Sequence, residues 1–245
     1  MAVDLRALTP ARVALGRSGH SLPTAELLRF DLDCARARDA VHEELDTGWL
    51  ALSHMVLASA AADRRTYLLR PDLGRKLSAE SRARLEPGDY DAAIVIADGL
   101  SAPAIHHHAA GLLEQLLPRL AEEEWRLAPL VVVRQGRVAI GDEISQCLGA
   151  RLAVVLIGER PGLTSPDSLG IYMTWDPRPG RTDAERNCIS NVRPEGLPYP
   201  AAAHKLHFLM SESRRRKISG VQLKETVGRG GNLSEVRHRD VPKSP

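Results

Sequence analysis

The sequence predicts an α/β protein: a doubly wound, mostly parallel, Rossmann-like sheet preceded by a small helical N-terminal element. Three observations carry this. The runs "AIVIA" (93–97) and "AVVLI" (153–157) are apolar at every position, as parallel strands covered by helices on both faces must be. From about residue 53, short apolar runs alternate with helical patterns, the order that builds such a sheet. And 245 residues, 43% hydrophobic and 26% charged, suffice for one substantial core.

Taken in order, the chain divides into an arm and helical element (1–52), an α/β domain (53–224) and a tail (225–245) expected to be disordered. Residues 1–23 mix Gly, Pro and Arg and read as irregular. Thr24 is the expected N-cap of "TAELLRFDLDCARARDAVHEEL". Leu27, Leu28, Leu32, Ala35, Val41 and Leu45 recur there at helical spacing, predicting one buried face. Gly48 ends that pattern. Next come the apolar runs "HMVLASA" and "RTYLLR", a helix near 74–86, the strand "DAAIVIADG" and a long helix near 102–125. "APLVVVRQGRVAI", a short helix over 141–149 and the strand "RLAVVLIGE" complete the alternation. After the turn-rich "NVRPEGLPYP", a last helix covers "AAAHKLHFLMSESRRRK". The tail "ETVGRGGNLSEVRHRDVPKSP" is polar, Gly-rich and without a core period.

Composition narrows function. Thirty-three basic against 31 acidic residues give a net charge of +2, so no polyanionic partner is implied. Aromatic content of 4% counts against a base-stacking nucleic-acid surface. Cys34, Cys147 and Cys188 form no Cys-x-x-Cys pair, which predicts neither zinc knuckle nor disulfide framework and fits a reducing cytoplasm. No apolar stretch approaches the roughly 20 residues that span a bilayer. No signal-peptide core is evident at the N-terminus.

In open α/β sheets, ligands sit beyond the carboxyl ends of the strands. Two such ends stand out: Asp98–Gly99–Leu100–Ser101 and Gly158–Glu159–Arg160–Pro161–Gly162. Each offers an acid and a Gly to a ligand; alternatively, Ser101 simply caps a helix and 159–162 is a surface corner. Neither G-x-G-x-x-G after a strand nor G-x-x-x-x-G-K-[ST] occurs, and "VGRGGN" (227–232) lies in the tail. Consecutive helix positions diverge by about 100°, so His106, His107 and His108 cannot all face one ion, and no metal site is predicted. The run 213–217, "SRRRK", reads as a solvated helix end or a phosphate contact. Cys188 is a nucleophile only with a base beside it, and otherwise a small packing residue. No catalytic set is complete, which suggests a chain that supplies part of a site.

Several segments resemble the light chain (small subunit) of ethanolamine ammonia-lyase: "RVALGRSGHSLPTAELLRFDLDCARARDAV", "YLLRPDLGRKL", "VIADGLSAPAI", "VVRQGRVAIGDEI", "LIGERPGLTSPDSLGIYMT" and "RNCISNVRPEGLPYPAAA". They run in family order over about residues 11–223. The resemblance implies a heavy chain carrying the substrate site, with adenosylcobalamin held between the two chains. It implies conversion of ethanolamine to acetaldehyde and ammonia through radical chemistry. It maps the light chain's cofactor contacts onto Val138, Glu159 and Cys188, with no catalytic residue and no cobalt-ligating histidine from this chain. "HHHAAG" has His106 where the D-x-H-x-x-G cobalamin motif needs Asp. The expected location is cytoplasmic. A bacterial microcompartment is the alternative, against which the short N-terminal arm counts.

Two other functions remain open at this point. One is a stand-alone enzyme on a phosphorylated metabolite, with Asp98, Glu159 and Arg160 converging. The other is a nucleic-acid or scaffold protein using Arg214–Lys217 and the tail.

Overall fold

The structure, a computed structural model, describes residues 9, 13, 15–17 and 19–223. Most of the expected arm, the whole 225–245 tail and its "VGRGGN" run lie outside them. Six strands form one sheet in the order β1-β3-β2-β4-β5-β6. The first four, β1 (Met55–Ala58), β2 (Tyr90–Ala97), β3 (Val131–Arg134) and β4 (Ala150–Gly158), are parallel. The last two, β5 (Leu169–Trp175) and β6 (Arg186–Val192), add antiparallel at one edge. The expected α/β class holds, and the sheet is mixed.

The apolar runs earn their place by facing both ways. Ala92, Ile94 and Ile96 of β2, with Leu152, Val154 and Leu156 of β4, pack on one side. Two helices cover it, α4 (Ala102–Glu122) and α6 (Tyr199–Arg216). Ala93, Val95 and Ala97, with Val155 and Ile157, pack on the other side under α5 (Ile140–Cys147). Full burial of a Leu- or Ile-sized side chain contributes about 1.5–3 kcal/mol, so these two layers dominate the fold's stability.

β5 and β6 are covered fully on one side and only in part on the other. Leu169, Ile171, Met173, Ile189 and Val192 join the α4/α6 layer. On the opposite face, Gly170, Tyr172 and Cys188 lie beyond α5, with Tyr172 and Cys188 as direct cross-strand partners. The sheet thus has a partly open face next to its parallel centre.

Several expectations change. "RTYLLR" lies in a helix, α2 (Arg64–Leu69), because the Asp63 carboxylate accepts from Thr66 N at 2.7 Å and caps it. The helix expected near 74–86 is a 3-10 turn at Leu73–Arg75 followed by the short α3 (Ala79–Ala83). α1 spans Thr24–His42, but its N-cap is Pro23, without a side-chain cap bond, and not Thr24. Its apolar stripe is buried only toward its end: Leu27, Leu28 and Leu32 are 45%, 63% and 49% exposed, Ala35 and Val41 are half-buried, and Leu45, just past the helix, joins the core. No helix among the described residues is long and apolar enough to cross a membrane.

Candidate ligand edge at the strand ends

β2 and β4 are neighbours, so Asp98 and Glu159 leave adjacent strand ends. Gly99 joins the two. Its φ of +58° and a would-be Cβ running into the Gly158 carbonyl admit only glycine, and Leu100 N donates to Gly158 O at 3.0 Å. Ser101 caps α4 by accepting from Ala104 N at 3.3 Å, while its Oγ donates to Pro166 O at 2.9 Å.

Connections leave β2 and β3 toward opposite faces, α4 on one side and α5 on the other, and such a switch opens a crevice. Here the crevice is filled. Asp98 is fully buried and accepts from Gly99 N at 3.0 Å, Gln135 N at 2.9 Å and Gly136 N at 2.8 Å. Arg64 Nη1 lies 3.3 Å from its Oδ2. Burial pushes the carboxyl up, and Arg64 and the three amides pull it back. The clasp holds Gln135 at φ 57°, a backbone that a non-glycine residue adopts only under constraint. Tyr67, also buried, donates its hydroxyl to Gly136 O at 3.1 Å. Asp98 therefore fixes the 135–139 turn and has no face toward a ligand.

Glu159 is different. It is half-buried, and both of its hydrogen bonds fall on Oε2, from Ser168 Oγ at 2.6 Å and Asn191 N at 3.2 Å. Oε1 is left as a free acceptor among the described residues. The side chain lies over Gly170, where a Cβ would come within 3.0 Å of it. Beside it, on the partly open face, stand Tyr172 and Cys188. Burial and the neighbouring thiol push the Tyr172 hydroxyl up to about 12. Burial likewise raises the Cys188 thiol, although the residue is exposed at the surface. Burial thus disfavours the Cys188 thiolate, the form a nucleophile would need.

Val138 and Arg137, on the clasped turn, complete the edge. A cleft of about 190 Å³ includes both of them with Glu159, Arg160 and Tyr172. An adjoining cleft of about 740 Å³ shares Arg137, Val138 and Tyr172 and adds Arg75, Lys76, Arg82 and Arg181 to its walls. Its floor is closed by Arg186, whose Nη1 and Nη2 donate to Asp142 at 2.7 and 2.6 Å, with both side chains almost fully buried. Arg137 stacks on the Tyr67 ring, 4.2 Å from its centroid, and its buried Nε has no protein partner among the described residues.

The structure thus brings Val138, Glu159 and Cys188 to one edge and keeps Asp98 away from it. Sequence reasoning missed Arg137 and Tyr172. The alternating "LGIYMTW" was a signal for the strand that carries Tyr172. The 213–217 run is engaged within the fold: Arg214 stacks 4.0 Å from the Trp125 ring centroid, and Arg215 pairs with Glu212. Among the described residues these features make an α/β chain with a candidate ligand edge, which has an acceptor, apolar contacts and a cationic wall but no assembled nucleophile–base pair.

The comparisons narrow that class. The family described as "Ethanolamine ammonia-lyase light chain (EutC)" matches residues 1–224. The chain is 58% identical over 235 residues to the ethanolamine ammonia-lyase small subunit of Azotobacter vinelandii, covering 91% of this chain and 87% of that one. It is 56% identical over 238 residues to the small subunit of Xanthomonas campestris pv. campestris, covering 92% and 88%. The chain belongs to the ethanolamine ammonia-lyase light-chain family and is a subunit of a carbon–nitrogen lyase.

Proposed function

We propose that the edge formed by Val138, Glu159 and Cys188 binds adenosylcobalamin at the junction with an ethanolamine ammonia-lyase heavy chain, in the deamination of ethanolamine to acetaldehyde and ammonia. The observation that carries this reading is the partly open face of β5 and β6, where one free carboxylate oxygen and a thiol stand beside the apolar surface of Tyr172. That donor set suits a corrinoid. Glu159 Oε1 accepts from amide arms or hydroxyls, each such bond to a charged group contributing about 1.5–3 kcal/mol. Val138 supplies apolar contact, and Cys188 fills space beside Tyr172. Arg75, Lys76 and Arg137 suit the cofactor's one anionic group, its phosphodiester, whereas Arg181 is engaged by Asp176 and Glu185. When bound, the cofactor supplies the radical chemistry; this chain's residues bind it, orient it and exclude water from one side.

The exposed stripe of α1 supports a second chain. Three leucines at helical spacing, each 45–63% exposed, form a surface that association with the heavy chain covers. Burial of Asp98 weighs against a stand-alone enzyme in which it meets Glu159 and Arg160.

Co-expression with the cognate heavy chain tests the proposal. Cobalamin absorbance is expected to co-elute with the two-chain complex and with neither chain alone. Turnover of ethanolamine by the isolated light chain, or equal cofactor retention by the heavy chain without it, overturns the proposal.

A further inference from the structure

Adjacent histidines on a helix diverge, so two of them share a ligand only if an acid reaches across to both. Here the loop between β4 and β5 delivers one. Asp167 Oδ2 lies 3.1 Å from His107 Nδ1 and 3.5 Å from His108 Nε2, and the three donor atoms all lie within 4.8 Å of one another. We propose that His107, His108 and Asp167 form a binding site for a divalent transition-metal ion of the zinc type, separate from the cofactor edge.

His108 carries the argument. It is 5% exposed, and its Nε2 is buried without a hydrogen-bond partner among the described residues. The 3.5 Å separation from Asp167 is too long to count as a good hydrogen bond. Its other nitrogen is accounted for: Nδ1 lies 2.7 Å from the Tyr199 hydroxyl. With the proton on Nδ1 and donated to Tyr199, the Nε2 lone pair points into the cluster, the arrangement that orients a metal-ligating imidazole.

Spacing and rigidity agree. Two ligands about 2.0–2.1 Å from a tetrahedral ion lie roughly 3.3–3.4 Å apart. The two contacts to Asp167, 3.1 and 3.5 Å, bracket that separation. His107 must close the remaining side, and its side chain, 60% exposed, is free to turn. Asp167 is held from both flanks: Pro166 O accepts from Ser101 Oγ, and Ser168 Oγ donates to Glu159. Two imidazoles and one carboxylate leave a fourth position toward solvent, where water completes the shell. A bound ion would fasten the 159–168 loop to α4 and so steady the segment that presents Glu159.

The test uses the full-length chain, stripped with a chelator and titrated with Zn²⁺ alone against a chromophoric competitor. One equivalent is expected to bind. His107→Ala and Asp167→Asn, neither of which empties the core, should each weaken binding by at least about tenfold. Tyr199→Phe removes no ligand but should cost about 10–100-fold through the lost Nδ1 partner. Cys188→Ser should leave the titration unchanged. Zn²⁺ affinity in the wild type weaker than about 1 mM, or binding that is insensitive to all three variants, overturns the site.

Discussion

Asp98 and Glu159 end adjacent parallel strands and look equivalent in sequence, yet they do opposite things. Asp98 uses both oxygens on three backbone amides and Arg64 and is fully buried. Glu159 uses one oxygen on two donors and keeps the other toward a cleft. Saturation marks a carboxylate that holds the backbone in place, whereas the unfilled acceptor is the one proposed to meet the cofactor. The two are linked, because the turn clasped by Asp98 carries Val138 to the edge where Glu159 stands.

Breaking the clasp should have the largest effect. Asp98→Ala strands the Arg64 charge and three amides, and is expected to cost about 3–5 kcal/mol in guanidinium denaturation of the isolated chain. A loss below about 1 kcal/mol would erase the distinction between the two acids. Tyr67→Phe, which removes the hydroxyl from the same turn, should cost about 1 kcal/mol by the same measurement. Glu159→Ala, by contrast, should leave folding within roughly 1 kcal/mol of wild type, since it strands no buried charge and one of its two donors, Asn191 N, is exposed.

Smaller effects sharpen the contrast between structural and interface positions. Leu28→Asp, at a residue 63% exposed, should change the isolated chain's stability by less than about 0.5 kcal/mol while abolishing heavy-chain pull-down. A stability loss comparable to that of Asp98→Ala would place α1 in the core. The Cys188 thiol, raised by burial, should react with iodoacetamide more slowly than free cysteine at pH 7.5 and accelerate as pH rises through its elevated pKa. Fast labelling at pH 7.5, read by peptide mass spectrometry, would restore it as a nucleophile.

The parallel centre was legible because strands buried on both faces are apolar at every position, and β2 and β4 are. The Ser101 cap was legible for the same local reason. β5 and β6 were not expected. β6, "RNCISNV", buries only Arg186, Ile189 and Val192, and a shifted register at Leu169/Ile171 interrupts β5. The partial cover of their second face, buried at Thr174 and Arg186 and exposed at Cys188, appears only in the fold. The α1 stripe has a different cause. An apolar stripe has the same periodicity whether it is buried in the chain's own core or left exposed, so Leu27, Leu28 and Leu32 read as core. The saturation of Asp98 depends on amides 37 and 38 residues away, beyond any local pattern.

The central claim is that Glu159 is a cofactor contact on this chain. Its most direct test is an absorbance titration of adenosylcobalamin into the two-chain complex carrying either wild-type or Glu159→Ala light chain. Loss of a charged hydrogen bond worth about 1.5–3 kcal/mol predicts a dissociation constant raised by roughly 10–150-fold, with the complex still assembled. An unchanged dissociation constant would remove Glu159 from the site and contradict the account.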